Sequence, residues 1–490
     1  MSTPGRRGRH PAGPPAALSV VAGMGLVLAS CASAPAARPR SLPARVAPPP
    51  AAPGAPSSAR GANTTSWTRY HRFGNGSGAG PAGLVLAGAR ARWTSPVLDG
   101  TLYGEPLVWR RLVYVATERD TVYALSASSG RVVWARHLAT PVPASSLPCG
   151  NITPTVGITG TPVVDPARSE LFVVADELLG GAVHHVLYGI DASNGRMELR
   201  QRVDPPQADP RALLQRTGLA LDGGRVVFGF GGNDGDCSTY HGWVESVPVT
   251  GGRPALYEVD RGPGELRGAV WMGGAAPVVL GNGDVVGAVG NGSVTSPSHP
   301  YDFGNSVLEL SSALRRLQYF APRQWAAQNA TDEDLGSAAP AVLGNGLVVQ
   351  AGKSEIAYLL DGRRFGGIGG QLRVEAGICG ADVDGGPAFS GDRVYLPCRN
   401  GVMEIVASAQ GDSLRVVWQT GSGAGGPPIL AGGLVWSIGH GVLYGLSPTS
   451  GRVRERLRVG PNANDFPTPS VGDGLLLATS ERRVHAYAGS

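Results

Sequence analysis

The feature that most constrains this chain is a short pattern that recurs along it. Each copy has an apolar strand, a turn, a second strand ending in Tyr-Ala-Leu or a similar triplet, and a turn of Ser or Asn followed by Gly. The clearest copy pairs residues 112–117 with residues 121–126. Three late copies align on Val402, Val442 and Val484, 40 and 42 residues apart. A four-stranded blade has this length, so the period predicts a β-propeller.

Eight such strand pairs follow one another from Leu107, which predicts an all-β fold with eight blades. The eighth copy, residues 484–487, is followed by only three residues and lacks an outermost strand. Residues 89–93 look like Arg131–Trp134, and we expect this N-terminal strand to close the ring and so remove a free sheet edge. The 74 glycines and 40 prolines suit many short strands joined by tight turns.

The N-terminus predicts export. Three arginines within the first nine residues precede an apolar stretch from Ala16 to Ala29, which has the length of a signal-peptide core and is short for a membrane span. Residues 28–31, Leu-Ala-Ser-Cys, are similar to the lipobox of bacterial lipoproteins. This resemblance implies cleavage before Cys31 and attachment of lipid to it. The alternative is an ordinary secreted protein that is cut near Ala32 or Ala34.

Three segments follow from this interpretation. Residues 1–30 are expected to be a lipoprotein signal peptide, residues 31–62 a linker and residues 63–490 the propeller. The linker consists largely of Pro, Ala, Ser and Arg and has too little apolar surface to bury in a core. Its prolines favour an extended spacer between the propeller and the membrane.

Two turns carry a resemblance to a known repeat. Asp191–Gly195 reads Asp-Ala-Ser-Asn-Gly, and Ser126–Gly130 is followed by Trp134, both similar to the Asp-Ala-x-Thr-Gly-x-x-x-Trp repeat of the pyrroloquinoline-quinone (PQQ)-like propellers. In that family the glycine adopts a positive φ and the tryptophan docks on the neighbouring blade. The resemblance implies this docking role for Trp93, Trp134 and Trp418. Other copies depart from it, with Leu199 and Glu455 in that place.

The resemblance covers residues 67 to 490 and leaves function open. Quinoprotein dehydrogenases of this fold hold PQQ and a calcium ion, and many clamp the quinone with a disulfide between adjacent cysteines. Others, including the lipoprotein of the outer-membrane barrel assembly machine, bind no quinone and act as protein-binding scaffolds. This chain has no adjacent cysteine pair.

Four cysteines remain when Cys31 is set aside, and in an oxidising compartment they are expected to pair. Three connectivities are possible. We favour Cys379 with Cys398, which lie close in sequence within one blade, and therefore Cys149 with Cys237. A metal site is the competing interpretation, but the spacing shows no Cys-x-x-Cys and no close Cys/His cluster.

Other polar groups have an ordinary structural interpretation beside a functional one. Residues 233–236, Asn-Asp-Gly-Asp, could bind calcium but lack the later ligands of a calcium loop, so a turn is favoured. Asp382 and Asp384 could be paired carboxylates but also suit a solvated turn. His184 and His185, expected just before a strand, and His241 have no nucleophile motif beside them. No catalytic or metal-binding residue is therefore assigned.

Three functions are considered for a propeller of this kind. The first is a protein- or ligand-binding scaffold of the cell envelope, anchored by lipid and facing periplasm or cell wall, whose longer loops would bind the partner: 140–160, 233–243, 293–305 and 323–336. The second is a PQQ- and calcium-dependent dehydrogenase of alcohols or sugars. The third, a hydrolase or lyase, has no supporting constellation. A nucleic-acid partner is not expected, because acids such as Asp204 and Asp209 interrupt the basic residues.

Overall fold

The computed structural model describes residues 66–463 and 466–489, all within the compact unit Pro53–Ser490. The expected signal peptide, the linker and Cys31 lie outside the described residues. Eight antiparallel sheets, each built on four strands, form an eight-bladed β-propeller, which confirms the predicted fold class. No helix in the described part of the chain is long and apolar enough to cross a membrane.

The strands of each blade are given from the innermost outward. Blades 1 to 4 comprise Leu107–Trp109, Leu112–Ala116, Thr121–Ser126 and Val132–His137; Val163–Asp165, Glu170–Leu179, Ala182–Asp191 and Met197–Arg202; Ala220–Asp222, Arg225–Gly232, Trp243–Pro248 and Ala255–Glu258; Val278–Val279, Val285–Val289, Ser306–Leu310 and Arg316–Ala321. Blades 5 to 8 comprise Ala341–Val342, Leu347–Ala351, Ile356–Asp361 and Arg373–Ala376; Ala388–Ser390, Arg393–Cys398, Gly401–Ala407 and Leu414–Gln419; Ile429–Ala431, Leu434–Gly439, Val442–Leu446 and Val453–Arg458; Ser470–Gly472, Leu475–Ser480, Arg483–Ala488 and Arg90–Thr94.

The ring is closed by the N-terminal strand. Arg90–Thr94 pairs antiparallel with Arg483–Ala488, so that Arg90 lies opposite Ala488 and Thr94 opposite His485. The first and last strands of the propeller thus belong to one blade, as the sequence predicted. Closure leaves neither terminal blade with an incomplete sheet.

Burial in each blade follows strand position. Second strands are mostly buried, and Leu347–Ala351 is buried along its whole length, because blades pack on both faces of them. Outer strands are more exposed, and in Met197–Arg202 every second residue is exposed. His184 and His185 lie inside the long third strand of blade 2, whereas the sequence placed them before it. Apolar residues on both sides of the pair, Val183 and Val186, are buried, which continues the strand through them.

Outer-strand tryptophans pack on turn glycines of the next blade. The indole N–H of Trp93 donates to the Ala127 carbonyl at 2.8 Å, and a Cβ atom on Gly130 would lie 2.3 Å from the Trp93 ring. Trp134 is placed in the same way against Gly195, and Trp418 against Gly451. These three glycines have φ between +64° and +77°, so they combine a left-handed turn with room for an indole.

The two faces of the ring differ. In an antiparallel blade the connections between second and third strands emerge on the same face as the connections between blades, here called the loop face. All four of the longer loops expected to bind a partner lie on this face. Elements outside the regular blades are the strands Val142–Pro143, Thr155–Val156, Leu213–Leu214 and Gly367–Ile368, the 3-10 turns Ala144–Ser146, Pro210–Ala212, Met272–Gly274 and Leu335–Ser337, and the helix Trp325–Thr331.

Candidate functional site

The central channel, the usual place for a ligand in a ring of blades, contains the chain's own residues 66–80, here called the channel segment. This irregular segment hydrogen-bonds to the innermost strands of five blades. The partners on those strands, in blades 1, 2, 4, 6 and 7, are Val108, Val164, Val279, Phe389 and Leu430. Because these strands surround the axis, the segment must pass through the channel.

Two rings of the channel segment lie deep in the channel. Tyr70 and His71 stack at 4.3 Å with 15° between their planes, and both are buried. The Tyr70 hydroxyl accepts from the Gly386 backbone N–H at 3.1 Å, and the His71 backbone N–H donates to Glu105 at 2.9 Å. A Cβ atom on Gly386 would lie only 2.7 Å from Tyr70. The glycine therefore admits the ring.

Burial sets the protonation of this cluster. It raises the pKa of the Tyr70 hydroxyl and, well above its ordinary value, that of the Glu105 carboxyl. It lowers the pKa of His71 to about 4. Burial therefore favours the uncharged form of each of the three groups. Tyr70 and His71 fill this part of the channel.

A second cluster closes the channel towards the loop face. Trp271 and Phe466 come from blade connections four blades apart, on opposite sides of the ring, yet their ring centroids are 6.0 Å apart. The Arg216 guanidinium lies 5.7 Å from the Phe466 ring and 5.8 Å from Tyr103, and the Lys353 ammonium lies 5.7 Å from Trp271. Burial lowers the pKa of Arg216.

These residues narrow the space that a calcium-bound quinone would need in the channel. A tricyclic quinone needs a slot between opposing walls, and here Trp271 and Phe466 approach each other from opposite walls. Calcium needs several oxygen ligands. Within residues 66–463 and 466–489, no three His, Cys, Asp or Glu side chains are grouped to hold a metal ion. The carboxylate of Asp384 is held by Arg399 at 2.9 Å instead.

The loop face carries the two disulfides. Cys149 is bonded to Cys237, which joins the connection between blades 1 and 2 to a loop of blade 3 across 88 residues. Cys379 is bonded to Cys398, which ties the connection before blade 6 to that blade. Loops stapled in this way present fixed groups to a partner, because less conformational entropy is lost on binding.

A cavity of about 450 Å³ lies on the loop face at the rim of blade 3 and is here called the blade-3 cavity. The connection from blade 2, the loop that carries Cys237 and the outer strand of blade 3 enclose it. Trp243 and Leu213 contribute apolar wall, and Asp209 and Glu258 contribute carboxylates. No sequence motif marks this cavity, because its walls come from three separate segments.

The remaining polar candidates have structural partners. Asn233 donates its side-chain amide to the Arg211 carbonyl, and Asp236 accepts from the Tyr240 hydroxyl, so residues 233–236 form a braced turn. His185 lies between Asp176 and Asp204 in the interior of blade 2. His241 lines the blade-3 cavity and donates through Nδ1 to the Asp260 carbonyl at 2.7 Å.

Comparison with known proteins supports the fold. Residues 85–241 match the family model of the outer membrane protein assembly factor BamB. The fold is that of the PQQ-type β-propellers. A quinohemoprotein alcohol dehydrogenase from Pseudomonas putida is 14% identical with a TM-score of 0.64, over 87% of this chain and 80% of that one. The corresponding enzyme from Comamonas testosteroni is 13% identical with a TM-score of 0.64, over 88% and 82%.

An outer membrane protein assembly factor shares the same fold. BamB from Moraxella catarrhalis is 14% identical with a TM-score of 0.53, over 82% of this chain and 97% of that one. No curated protein sequence matches this chain. The TM-scores support the PQQ-type propeller fold. Because the identities are low, the function has to be argued from the site.

Proposed function

We propose that this protein is a lipid-anchored scaffold of the bacterial cell envelope that binds another protein on its loop face. The observation that carries the proposal is the filled channel: Tyr70 and His71 occupy its interior, and Trp271 meets Phe466 across its loop-face end. Binding is then left to the outside of the ring. The partial match to an assembly factor supports the same class of function.

The loop face supports a protein partner in particular. Its long connections are concentrated between blades 1 and 5, include the helix Trp325–Thr331 and are stapled by Cys149–Cys237. Two disulfides also indicate an oxidising compartment, and therefore export. Attachment through Cys31 would keep the propeller at the membrane, with the linker 31–62 as spacer.

Site-specific photocrosslinking in cells tests the scaffold. A crosslinking residue at Ser298, exposed in the second-to-third-strand loop of blade 4, should capture one partner in stoichiometric yield. The same residue at Glu481, exposed in the equivalent short loop of blade 8, is the matched control and should capture none. Equal labelling from both positions, or none from either, contradicts the proposal.

The anchor and the quinone have their own tests. Replacing Cys31 with Ala should abolish incorporation of labelled fatty acid and release the protein from the membrane fraction.

The alternative function, a PQQ-dependent dehydrogenase, predicts that PQQ and calcium bind with a quinone absorbance and support dye-linked oxidation of alcohols or sugars. Uptake with turnover would overturn the scaffold proposal.

A further inference from the structure

Formal charge is divided unevenly around the ring. Residues 138–387, which contain blades 2 to 5, have 17 Lys and Arg against 26 Asp and Glu. Residues 90–137 and 388–489, which contain blades 1, 6, 7 and 8, have 16 Lys and Arg against 11 Asp and Glu. Blade 8 lies opposite blade 4, so the ring has a basic side and an acidic side. Such an asymmetry orients a protein beside a charged surface.

Six exposed arginines lie on the outer strands of blades 7, 8 and 1. These strands are Val453–Arg458, Arg90–Thr94 and Val132–His137, and every arginine on them is exposed. Together they form the surface here called the arginine rim: Arg90, Arg92, Arg136, Arg454, Arg456 and Arg458. The linker 31–62 adds four arginines and no acid. The basic side of the ring and the chain that leads to the proposed anchor therefore carry the same sign of charge.

Two contacts hold the three outer strands side by side. Glu455 of blade 7 accepts from the Gly88 backbone N–H at 3.1 Å, just before the strand of blade 8 begins. Trp93 of that strand packs on Gly130, just before the outer strand of blade 1 begins. The six guanidinium groups therefore belong to one continuous surface at the edge of the ring.

The rim arginines lack acidic partners. On the outer strand of blade 2, by contrast, Arg196, Arg200 and Arg202 are each paired with a carboxylate. No carboxylate oxygen lies within 4.0 Å of a rim guanidinium in the part of the chain that the structure describes. Glu455, the one acid on the three rim strands, accepts from Gly88 instead. The charge of the rim is thus left for a partner outside the chain.

An anionic lipid bilayer suits this surface in extent and in chemistry. The rim covers the edges of three blades, so it offers a broad face to a broad anion. Val133, on the rim strand of blade 1, is 54% exposed, and an apolar side chain among arginines favours the headgroup region of a bilayer. A lipid anchor and a basic surface also act together, because the anchor keeps the basic surface close to the membrane.

We propose that the arginine rim rests on an anionic lipid bilayer, with blade 8 next to the membrane and blade 4 on the far side of the ring. The guanidinium groups bind lipid phosphates through charge-assisted hydrogen bonds. In this orientation the acidic blades 2 to 5, with their long connections and the Cys149–Cys237 disulfide, point away from the bilayer and stay accessible to the partner protein. This inference rests on the proposed membrane anchoring and adds the orientation of the ring.

Vesicle binding tests the rim in the full-length Cys31→Ala protein, which lacks the proposed site of lipid attachment. This protein should bind vesicles of phosphatidylcholine and phosphatidylglycerol, mixed in about equal amounts, about tenfold more tightly than vesicles of phosphatidylcholine alone. Added salt should weaken the binding, because it screens the arginine charges. Equal binding to the two kinds of vesicle would overturn the proposal.

Two sets of substitutions separate the rim from net charge. The rim set removes one charge from each rim strand: Arg92→Gln, Arg136→Gln and Arg454→Gln. The control set removes three exposed charges from turns of blades 4 and 5: Arg315→Gln, Arg363→Gln and Arg364→Gln. The rim set should weaken binding to the anionic vesicles about tenfold and the control set less than about twofold, with the melting temperature unchanged in both. Equal losses would assign the binding to net charge and contradict the proposal.

A soluble acidic polymer is the other occupant that a basic surface could take. Poly-glutamate, added at the same concentration of negative charge as the lipid, should fail to displace the protein from the anionic vesicles. Displacement would mean that the rim binds a polymer, and the assignment to a bilayer would be wrong.

This inference and the proposed function can fail separately. If Ser298 captures a partner but the two kinds of vesicle bind alike, the scaffold stands and the membrane surface is wrong. If the anionic vesicles bind selectively but Ser298 captures no partner, the rim is a membrane surface and the scaffold proposal is wrong.

Discussion

Two sectors of the same ring are built differently. In the regular sector, residues 90–137 and 388–489, the second and third strands of blade 7 are joined by residues 440–441. In the elaborated sector, residues 138–387, the same connection in blade 4 runs from 290 to 305. The three tryptophans whose contacts with glycines join neighbouring blades lie in the regular sector, although Trp134 packs on Gly195 of the elaborated sector. The elaborated sector has the long loops, the Cys149–Cys237 staple and the blade-3 cavity, so the contacts that join blades and the proposed binding surface involve different residues.

The largest effect of a single substitution is expected when one of the tryptophan–glycine contacts is removed. Trp93→Ala deletes the ring that packs on Gly130 and the bond to Ala127, and should cost about 3–5 kcal/mol of unfolding free energy in urea. Hydrogen exchange should rise in Arg90–Thr94 and in its partner strand, because closure depends on this contact. Trp325→Ala, a buried tryptophan of the elaborated sector, is the control and should leave those strands protected.

Buried carboxyl groups in both sectors should make stability depend on pH, with Glu105 in the regular sector and Glu245 and Asp260 in the elaborated one. Burial raises the pKa of Glu245 and of Asp260 to about 9. A raised folded pKa stabilises the protein below the unfolded pKa, near 4, and this stability is lost as the pH rises towards 9. Unfolding free energy should therefore fall between pH 5 and pH 8, by about 4 kcal/mol for each of the two groups. Asp260→Asn should flatten that slope, and an unchanged slope in this variant would show that Asp260 is ionised in the fold.

The two disulfides should differ in how much they stabilise the fold. Under the chain-entropy account, the bond that closes 88 residues constrains the unfolded chain more than the bond that closes 19. Replacing Cys149 and Cys237 with Ser should cost about 1 kcal/mol more than replacing Cys379 and Cys398. Urea unfolding of the two double variants measures the difference. Equal losses of unfolding free energy would mean that the unfolded chain stays ordered in these loops without the disulfides.

Comparing two glycines separates the effect of the tryptophan–glycine contact on stability from the effect of backbone strain. Gly451 and Gly474 both have positive φ, +64° and +77°, but only Gly451 faces an indole, with its notional Cβ 2.4 Å from Trp418. Both changes to Ala incur the left-handed penalty of about 1 kcal/mol. Gly451→Ala should lose a further 1–2 kcal/mol, because Trp418 must move. Similar melting temperatures for the two variants would show that Trp418 contributes little to blade packing.

The regular sector was more predictable than the elaborated one for a physical reason. Neighbouring blades need the same contacts each time, so the sequence repeats them, and the period found the closing strand Arg90–Thr94. Where Leu199 replaces the tryptophan, it still approaches the turn glycine Gly251 of the next blade. Glu455 instead accepts a hydrogen bond from the Gly88 backbone N–H.

Contacts that occur only once in the molecule produce no repeat in the sequence, so the repeat pattern cannot predict them. Tyr70 meets Gly386 across 316 positions, and Trp271 meets Phe466 from the opposite side of the ring. The sequence showed residues 67–74 only as a lead-in to the repeats. The walls of the blade-3 cavity likewise come from three segments whose proximity depends on the closed ring.

The channel segment also determines how the molecule would respond to a pull on its N-terminal side. The segment is hydrogen-bonded in turn to five inner strands. A force applied at residue 66 would therefore act first on the bonds to Val108 and Val164. Only after those bonds break would load reach Val279, Phe389 and Leu430, and the closing strand comes last. A propeller pulled by its N-terminal end would thus lose the channel segment first and the closing strand Arg90–Thr94 only afterwards.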